Sequence, residues 1–220
     1  MMQDEFSALV DCGSSNSEYQ AGNVAADYLE SAGYRALNQM ILTHAHADHT
    51  NGLEELLERM EVHSILLPDK KEWEQSISLL HQKSLITEVK EVKTVQVGDI
   101  CFTIYPPIGD GDGNEAGLSI LISRREFDFL ITGDMPSSQE EQLMELYGLP
   151  DLELLIVGHH GAKSSTSRDL LLQTNPEAAI ISVGRNSYGH PAEEVLYRLT
   201  DGEINVYRTD LQGNIHIEVN

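Results

Sequence analysis

The sequence predicts an α+β fold: two stacked mixed sheets with helices on the outer faces. Three observations predict it. Short apolar runs alternate with amphipathic segments in both halves of the chain. Hairpin signals interrupt that alternation around residues 88–104 and 118–131. One strand end opens into a loop crowded with histidine and carboxylate. A chain of 220 residues with 40% apolar content is long enough to bury a two-sheet core, as one domain over residues 1–220.

Residues 6–10 read as a short strand entering the turn Asp11-Cys12-Gly13. Residues 21–32 read as a helix with Val24, Ala25, Tyr28 and Leu29 on one face and Gly33 as its stop. Residues 40–43 are the strand before the histidine loop, 53–60 a helix, and 64–67 a buried strand stopped by Pro68. Residues 72–85 are amphipathic, with Trp73, Ile77 and Leu80 inward and His81 on the same helix. From Glu88 the pattern changes to alternation: Val89, Val92, Val95 and Val97, then Ile100, Phe102 and Ile104 beyond Gly98-Asp99. Residues 109–114 read as loop. Residues 118–122 and 127–131 pair through Arg124-Arg125-Glu126. Ser138 with Glu141 makes a capping box for a helix running to Tyr147, ended by Gly148. Residues 154–157 are a wholly apolar strand, Ser167 caps a helix through Gln173, and 178–183 form another strand. A helix over 192–199 and strands over 204–207 and 215–219 complete the sheet.

The densest chemistry lies in Thr43-His44-Ala45-His46-Ala47-Asp48-His49-Thr50-Asn51-Gly52, directly after the apolar run that ends at Leu42. Three imidazoles and a carboxylate within six residues repel one another and shed water only at a cost, unless a cation organises them. His44 and His46, at i and i+2, can converge on one ion. Asp48 and His49, one turn further on, can reach a second, so that either a single site or an adjacent pair fits the spacing. Later in the chain His159-His160-Gly161 follows an all-apolar strand, and His190 follows another strand just before Pro191.

These segments resemble the metallo-β-lactamase superfamily, whose fold is an αββα sandwich. Leu9-Val10-Asp11-Cys12-Gly13 is similar to its early Asp-x-Gly turn, and Phe129-Leu130-Ile131-Thr132-Gly133-Asp134 to the strand that ends in a metal-bridging Asp. Val157-Gly158-His159-His160-Gly161, the run from Ser182 to Pro191, and Tyr207-Arg208-Thr209-Asp210-Leu211-Gln212-Gly213 resemble the C-terminal domain of the ComEC/Rec2 DNA-uptake (competence) proteins. Only ten residues precede Asp11. That leaves two readings open: a first hairpin lacking its usual N-terminal strand, or a piece excised from a longer chain.

The resemblance implies a metal set of His44, His46, Asp48, His49, Asp134 and His190, with Asp134 as the bridge. The superfamily's third histidine falls between the first motif and that Asp. Only His63 and His81 lie there, and neither has a ligand's flanking sequence. The resembled subfamily carries Asn at this place, which Asn114 fits. Catalytic roles fall to Asp48, to His159 as ligand or transition-state stabiliser, and to His160 as general acid. Lys163, Ser164 and Ser165 open a stretch of hydroxyls and helix-start N–H groups suited to an anion, and equally to a helix cap. Ligands of nitrogen and oxygen without thiolate suit one or two Zn²⁺ ions, with Mn²⁺ compatible. Cys12 and Cys101 are far apart and read as small buried hydrophobes.

The 14 basic residues stand against 36 acidic ones, a net charge of −22. Such a surface repels phosphate backbones at long range, so tight independent nucleic-acid binding is not expected. No stretch approaches the roughly 20 apolar residues of a membrane span, and no signal-peptide pattern opens the chain. The expectation is a soluble domain, free-standing or part of a membrane-bound competence protein. Its first functional reading is a metal-dependent phosphodiesterase or nuclease-like domain associated with DNA uptake. The alternatives are a metallohydrolase of small lactones, thioesters or phosphocholine esters, and a degenerate, non-catalytic module of a DNA-uptake channel.

Overall fold

The structure is a computed structural model that describes residues 6–16, 18–68, 73, 85–109 and 113–219. The chain divides into two compact units, Met1–Glu91 and Val92–Asn220.

The first unit runs β1 (Ala8–Val10), α1 (Ala21–Ser31), β2 (Ala36–Ile41), α2 (Ala47–Thr50), α3 (Leu53–Arg59), β3 (Glu61–Leu67) and β4 (Leu85–Glu88). Its four strands pair in the order β1-β2-β3-β4, all parallel. Parallel strands are buried on both faces and read as continuous apolar runs. Met40, Ile41 and Leu42 after β2's start, and Ile65, Leu66 and Leu67 in β3, are accordingly almost wholly buried. Because β1 and β2 are parallel, their C-terminal ends lie at the same end of the sheet. One releases Asp11-Cys12-Gly13 and the other the histidine loop.

Helix α1 forms where predicted but turns a different face inward. Gly22, Ala26 and Leu29 are buried, whereas Val24 and Tyr28 are exposed. The cause is steric. Helix α3 approaches so closely that a Cβ at Gly22 would stand 2.0 Å from the Gly52 carbonyl oxygen and 2.7 Å from the Leu56 nitrogen. Small residues therefore outrank hydrophobic ones on this face. The sequence-predicted helix over 72–85 and its His81 lie outside the described residues, apart from Trp73, which is buried in this unit's core.

The second unit runs β5 (Lys93–Val97), β6 (Ile100–Tyr105), a 3-10 turn (Gly113–Ala116), β7 (Ser119–Arg124), β8 (Phe127–Ile131), α4 (Ser137–Tyr147), β9 (Leu154–Ile156), a second 3-10 turn (Gly158–Gly161), α5 (Arg168–Thr174), β10 (Ala178–Ile181), α6 (Glu193–Asp201), β11 (Asn205–Arg208) and α7 (Thr209–Gln212). Its seven-stranded sheet has the order β11-β10-β9-β8-β7-β6-β5. Strands β5 to β8 form an antiparallel meander, and β8 to β11 are parallel. Helices α4, α5 and α6 make the crossovers. Leu130, Leu143, Leu155, Leu170, Ala179, Ile181, Val195 and Leu199 are the fully buried centre of the core.

The α+β class with two sheets holds, and both predicted hairpins form, with Val95 opposite Phe102 and Leu121 opposite Leu130. Three local readings are corrected. The alternation from Glu88 does not belong to one hairpin: Val89 donates its N–H to Leu67 O at 2.9 Å in the first unit, and the hairpin begins only at Lys93. The capping box at Ser138 does not form. The N-cap is Pro136, two residues earlier, so Ser138 lies inside the first turn and its hydroxyl bonds Gln139 Oε1 at 2.6 Å. Residues 215–219 form no strand, because β11 is followed at once by α7; the tail is held instead by the Arg124 guanidinium donating to the Val219 carbonyl. Gly148 does end α4, at φ 60°, and the Ser167 hydroxyl does cap α5 by accepting the Leu170 N–H at 3.1 Å.

Candidate metal centre

In the first unit the histidine loop leaves β2 and is bound to the loop after β1. The Asp11 carboxylate accepts the Thr43 N–H (2.7 Å), the Thr43 hydroxyl (2.7 Å) and His49 Nδ1–H (2.8 Å). The Thr43 hydroxyl proton is thereby spent, so its oxygen accepts from His44 Nδ1, 3.1 Å away. Two rings are thus fixed in one tautomer: Nδ1 carries the proton and Nε2 carries the lone pair. Both Nε2 atoms are buried. This is the second-layer arrangement by which proteins orient histidine toward metal. Gly13 admits the close packing, since a Cβ there would stand 2.5 Å from the Asp48 carbonyl.

The rings of His44 and His46 pack edge to face at 4.7 Å, and those of His44 and His49 at 4.1 Å. Ligand atoms of His44 and His46 lie within 4.8 Å of each other, as do those of Asp48 and His49. His44 and His49 are buried, Asp48 is half-buried and His46 is exposed. His63 stands apart on β3, about half exposed, with Glu61 at 4.0 Å as its ionic partner.

In the second unit Asp134, His159-His160 and His190 follow the C-terminal ends of β8, β9 and β10, three neighbouring parallel strands. Asp134 is buried, with His159 Nε2 at 3.4 Å from its Oδ2. Asn114 Nδ2 lies 3.5 Å from His159 Nδ1, which puts Asn114, His159 and Asp134 in one line of contact. Ligand atoms of Asp134 and His160 lie within 4.8 Å of each other. His160 Nδ1–H donates to the Ser182 carbonyl at 2.7 Å, so its Nε2 again carries the lone pair. The rings of His159 and His190 are 5.7 Å apart. His190 Nδ1 and Asn114 Oδ1 are buried and have no hydrogen-bond partner among the described residues. Buried acceptors left this way cost about 1–3 kcal/mol each unless an ion or water meets them.

Backbone strain marks the same place. His159 (φ 51°, ψ 46°) and His160 (φ 54°, ψ 22°) are consecutive left-handed residues, each costing roughly 1–2 kcal/mol. Thr166, at φ 52°, is a third and is β-branched. Its hydroxyl accepts the Gly158 N–H at 2.9 Å, and its own N–H goes to Glu140 Oε1 at 2.5 Å. Glu140 is fully buried and also accepts the Ser167 N–H at 2.8 Å. Burial pushes its carboxyl up, against the lowering effect of those hydrogen bonds and of Arg198.

That network corrects the anion cradle. The helix-start N–H groups of Thr166 and Ser167 are taken by Glu140, and Ser165 is buried. Only Lys163 and Ser164 present exposed side chains. Asn186 secures the His190 loop from within: its Oδ1 accepts the N–H groups of Gly189 and His190 at 3.0 Å, and its Nδ2 donates to the carbonyls of Gly184 (3.0 Å) and His190 (2.7 Å). Asp11, Thr43, Glu140 and Asn186 were not assigned from the sequence. Asp11, Thr43 and Asn186 lay within motifs that the sequence singled out, the Asp-x-Gly turn, the histidine loop and the run from Ser182 to Pro191, whereas Glu140 carried no signal. Burial pushes the Cys12 thiol up to about 12, so in the metal-free protein it stays neutral.

The chemistry of these donors fits a divalent cation: imidazole nitrogens with fixed lone pairs, carboxylates, and no thiolate. Comparison with known proteins agrees. Residues 3–185 match the metallo-beta-lactamase superfamily. The chain is 31% identical over 200 residues to ComE operon protein 3 of Bacillus subtilis, covering 87% of this chain and 26% of that protein. It is 28% identical over 208 residues to competence protein ComA of Neisseria gonorrhoeae, covering 89% of this chain and 28% of that protein. It therefore spans about a quarter of the length of these relatives. Among solved structures, the metallo-beta-lactamase fold protein YhfI from Bacillus subtilis matches with a TM-score of 0.61 at 14% identity, over 95% of this chain and 87% of that one, a likeness of fold. Among the described residues no helix is long and apolar enough to cross a membrane. With its fold, its motifs and its donor residues in agreement, the chain belongs to the metallo-beta-lactamase superfamily and resembles the ComEC/Rec2 competence proteins.

Proposed function

We propose that the chain is a metal-dependent phosphodiesterase of nuclease type, acting in DNA uptake. The observation that carries the metal reading is the pairing in the histidine loop. His44 with His46, and Asp48 with His49, offer two sets of ligand atoms, each within 4.8 Å, and the tautomers of His44 and His49 are already fixed. On this reading His44 and His46 serve one ion and Asp48, His49 and His190 the other. Asp134 would add a carboxylate ligand, and Asn114 would take the place of a third histidine. Zinc suits these donors, and manganese is compatible. A divalent ion lowers the pKa of bound water toward neutrality and polarises a phosphoryl oxygen.

The chain's own residues do the rest. Asp48 holds and orients the attacking water. His159, in line with Asp134, donates from Nε2 to charge that develops on the phosphoryl oxygens. His160, with Nδ1–H held by Ser182, would first take a proton from solvent at Nε2 and, as the imidazolium, pass that proton to the leaving oxygen. Lys163 and Ser164 are exposed and free to meet the flanking phosphate. The names of the curated relatives supply the setting, competence. The acidic surface implies that DNA is delivered by a partner, because a chain of net charge −22 does not gather it unaided.

The test is turnover of bis(p-nitrophenyl) phosphate and of single-stranded DNA, against a lactone and a thioester, in added Zn²⁺ or Mn²⁺. Asp48→Asn should abolish turnover. His160→Ala should slow it by roughly 10²-fold or more while metal content stays unchanged. Lactone or thioester turnover alone would favour the small-molecule reading. One observation favours the degenerate module: no third histidine stands among the described residues between the first motif and Asp134 except His63, on an exposed strand face. No turnover of any of these esters with metal bound would establish that reading.

A further inference from the structure

The motif Tyr207-Arg208-Thr209-Asp210-Leu211-Gln212-Gly213 carries no group assigned to metal or substrate, yet its geometry leads to His160. Strand β11 pairs with β10 through Ile181 opposite Arg208 and no further. Beyond that register β11 coils into α7, so its backbone cannot continue the ladder along Ser182 and Val183. The Thr209 side chain takes over. Its Oγ1 accepts the Val183 N–H at 2.8 Å and donates to the Val183 carbonyl at 2.7 Å, with the Ile181 carbonyl at 3.3 Å. One hydroxyl thus satisfies both polar groups of Val183 and holds residues 181–183 extended. The carbonyl between those anchors, Ser182 O, is the acceptor of His160 Nδ1–H at 2.7 Å.

The rest of the motif holds Thr209. Arg208 clamps Asp210 with two bonds, Nε to Oδ1 at 3.0 Å and Nη2 to Oδ2 at 2.7 Å. The Arg208 N–H reaches Gln212 Oε1 at 2.6 Å, and the Gly213 N–H closes the turn on the Thr209 carbonyl at 3.0 Å. Gly213 then leaves at φ 71°, ψ −142°, where a side chain would be strained.

We infer that Thr209 is a positioning residue for His160: by fixing the Ser182 carbonyl it sets the tautomer and direction of the ring. The inference rests on the proposed function only for what His160 then does. A left-handed His160 has no regular backbone to define its ring orientation, so the short bond from Nδ1–H to the Ser182 carbonyl is what sets the proton on Nδ1. Losing the hydroxyl leaves the carbonyl free to turn.

Three measurements test it. In the wild-type protein, the Val183 amide should exchange with solvent as slowly as the amides within β10, although it lies two residues past the strand's end. Fast exchange overturns the inference whatever the variants do. In metal-free protein, ¹⁵N spectra should show His160 protonated at Nδ1. Thr209→Val should lose that single tautomer, Thr209→Ser should keep it, and Thr200→Val, whose hydroxyl only returns to Leu196 O of its own helix, should not alter it. With metal present, Thr209→Val should slow cleavage of a diester with an alkoxide leaving group on the order of tenfold to 10²-fold. It should slow a nitrophenyl diester far less, since that leaving group needs no proton. An unchanged His160 tautomer in folded Thr209→Val refutes the inference. A changed tautomer in a protein whose wild type cleaves no phosphodiester upholds the positioning role and refutes the phosphodiesterase reading. Should Thr209→Val not fold, the amide exchange of Val183 and the retention of tautomer in Thr209→Ser decide.

Discussion

Replacing Asp11 by Asn changes one atom at the hub of the first ligand set. The carboxylate now accepts three bonds, at 2.7, 2.7 and 2.8 Å, from Thr43 N–H, Thr43 Oγ1 and His49 Nδ1. Asn keeps the left-handed conformation at φ 58° acceptable, so the backbone is not the cause of any effect. Its oxygen can keep the Thr43 N–H, but its amide nitrogen then faces two donors. The Thr43 hydroxyl can rotate to accept. His49 can keep a partner only by moving its proton to Nε2, which removes the lone pair from the atom that should bind metal. Losing hydrogen bonds to a charged acceptor at so buried a place costs about 1.5–3 kcal/mol. Second-layer partners of metal-bound histidine are worth roughly 10- to 100-fold in affinity, or about 1.4–2.7 kcal/mol. Urea unfolding of metal-free protein and calorimetric titration with Zn²⁺ measure the two quantities separately. Asp11→Asn with wild-type zinc affinity would refute the assignment of His49 Nε2 as a ligand, even if stability fell.

Two further outcomes test the fold and its electrostatics. Gly22→Ala should lower the unfolding free energy by about 2 kcal/mol or more, because its Cβ would meet the Gly52 carbonyl at 2.0 Å and backbone must shift; a thermal midpoint within 1–2 °C of wild type would contradict the close packing of α1 on α3. Glu140 has a folded-state pKa raised by burial, so the native state holds its proton more tightly than the unfolded chain, whose value is near 4.5. Its contribution is therefore fully favourable below about 4.5 and declines as pH rises through the window above it. Relative to Glu140→Gln, the wild type should lose stability across that window, measured by urea unfolding from pH 4 to 8; a constant difference, or a gain with pH, would refute the sign.

The sequence made the strands legible wherever parallel pairing buries both faces, as at Met40-Ile41-Leu42 and Leu154-Leu155-Ile156, because continuous apolar runs have no other soluble use. The histidine loop was legible for a related reason: so many ligands have no favourable arrangement without a cation. Helix α1 shows where periodicity fails. Its buried stripe, Gly22-Ala26-Leu29, scores weakly on hydrophobicity because the constraint is backbone approach rather than area. The supporting residues were hidden for a second reason. Asp11 and Glu140 accept from backbone N–H groups and a ring distant in sequence, and a lone Asp or Glu carries no trace of its donors; Asn186 bonds only to Gly184, Gly189 and His190 nearby, through a loop conformation that the sequence does not display. Ser138 misled because a capping box names residue types, whereas the cap depends on where the chain enters the helix. Thr209 was visible only as a member of a resembled motif, and its role needs the register between β10 and β11.

The measurement that tests the central claim most directly is metal content by elemental analysis after saturation with Zn²⁺ or Mn²⁺ and desalting, for wild type, His49→Ala and Asp134→Asn. The metal set implied by the superfamily resemblance predicts one to two ions per chain in the wild type. Mild chelation should remove first the ion held by His44 and His46, which lacks a third histidine. Each variant should lose metal relative to the wild type. A wild type that retains no metal, or an Asp134→Asn protein that keeps a full complement, would contradict the account.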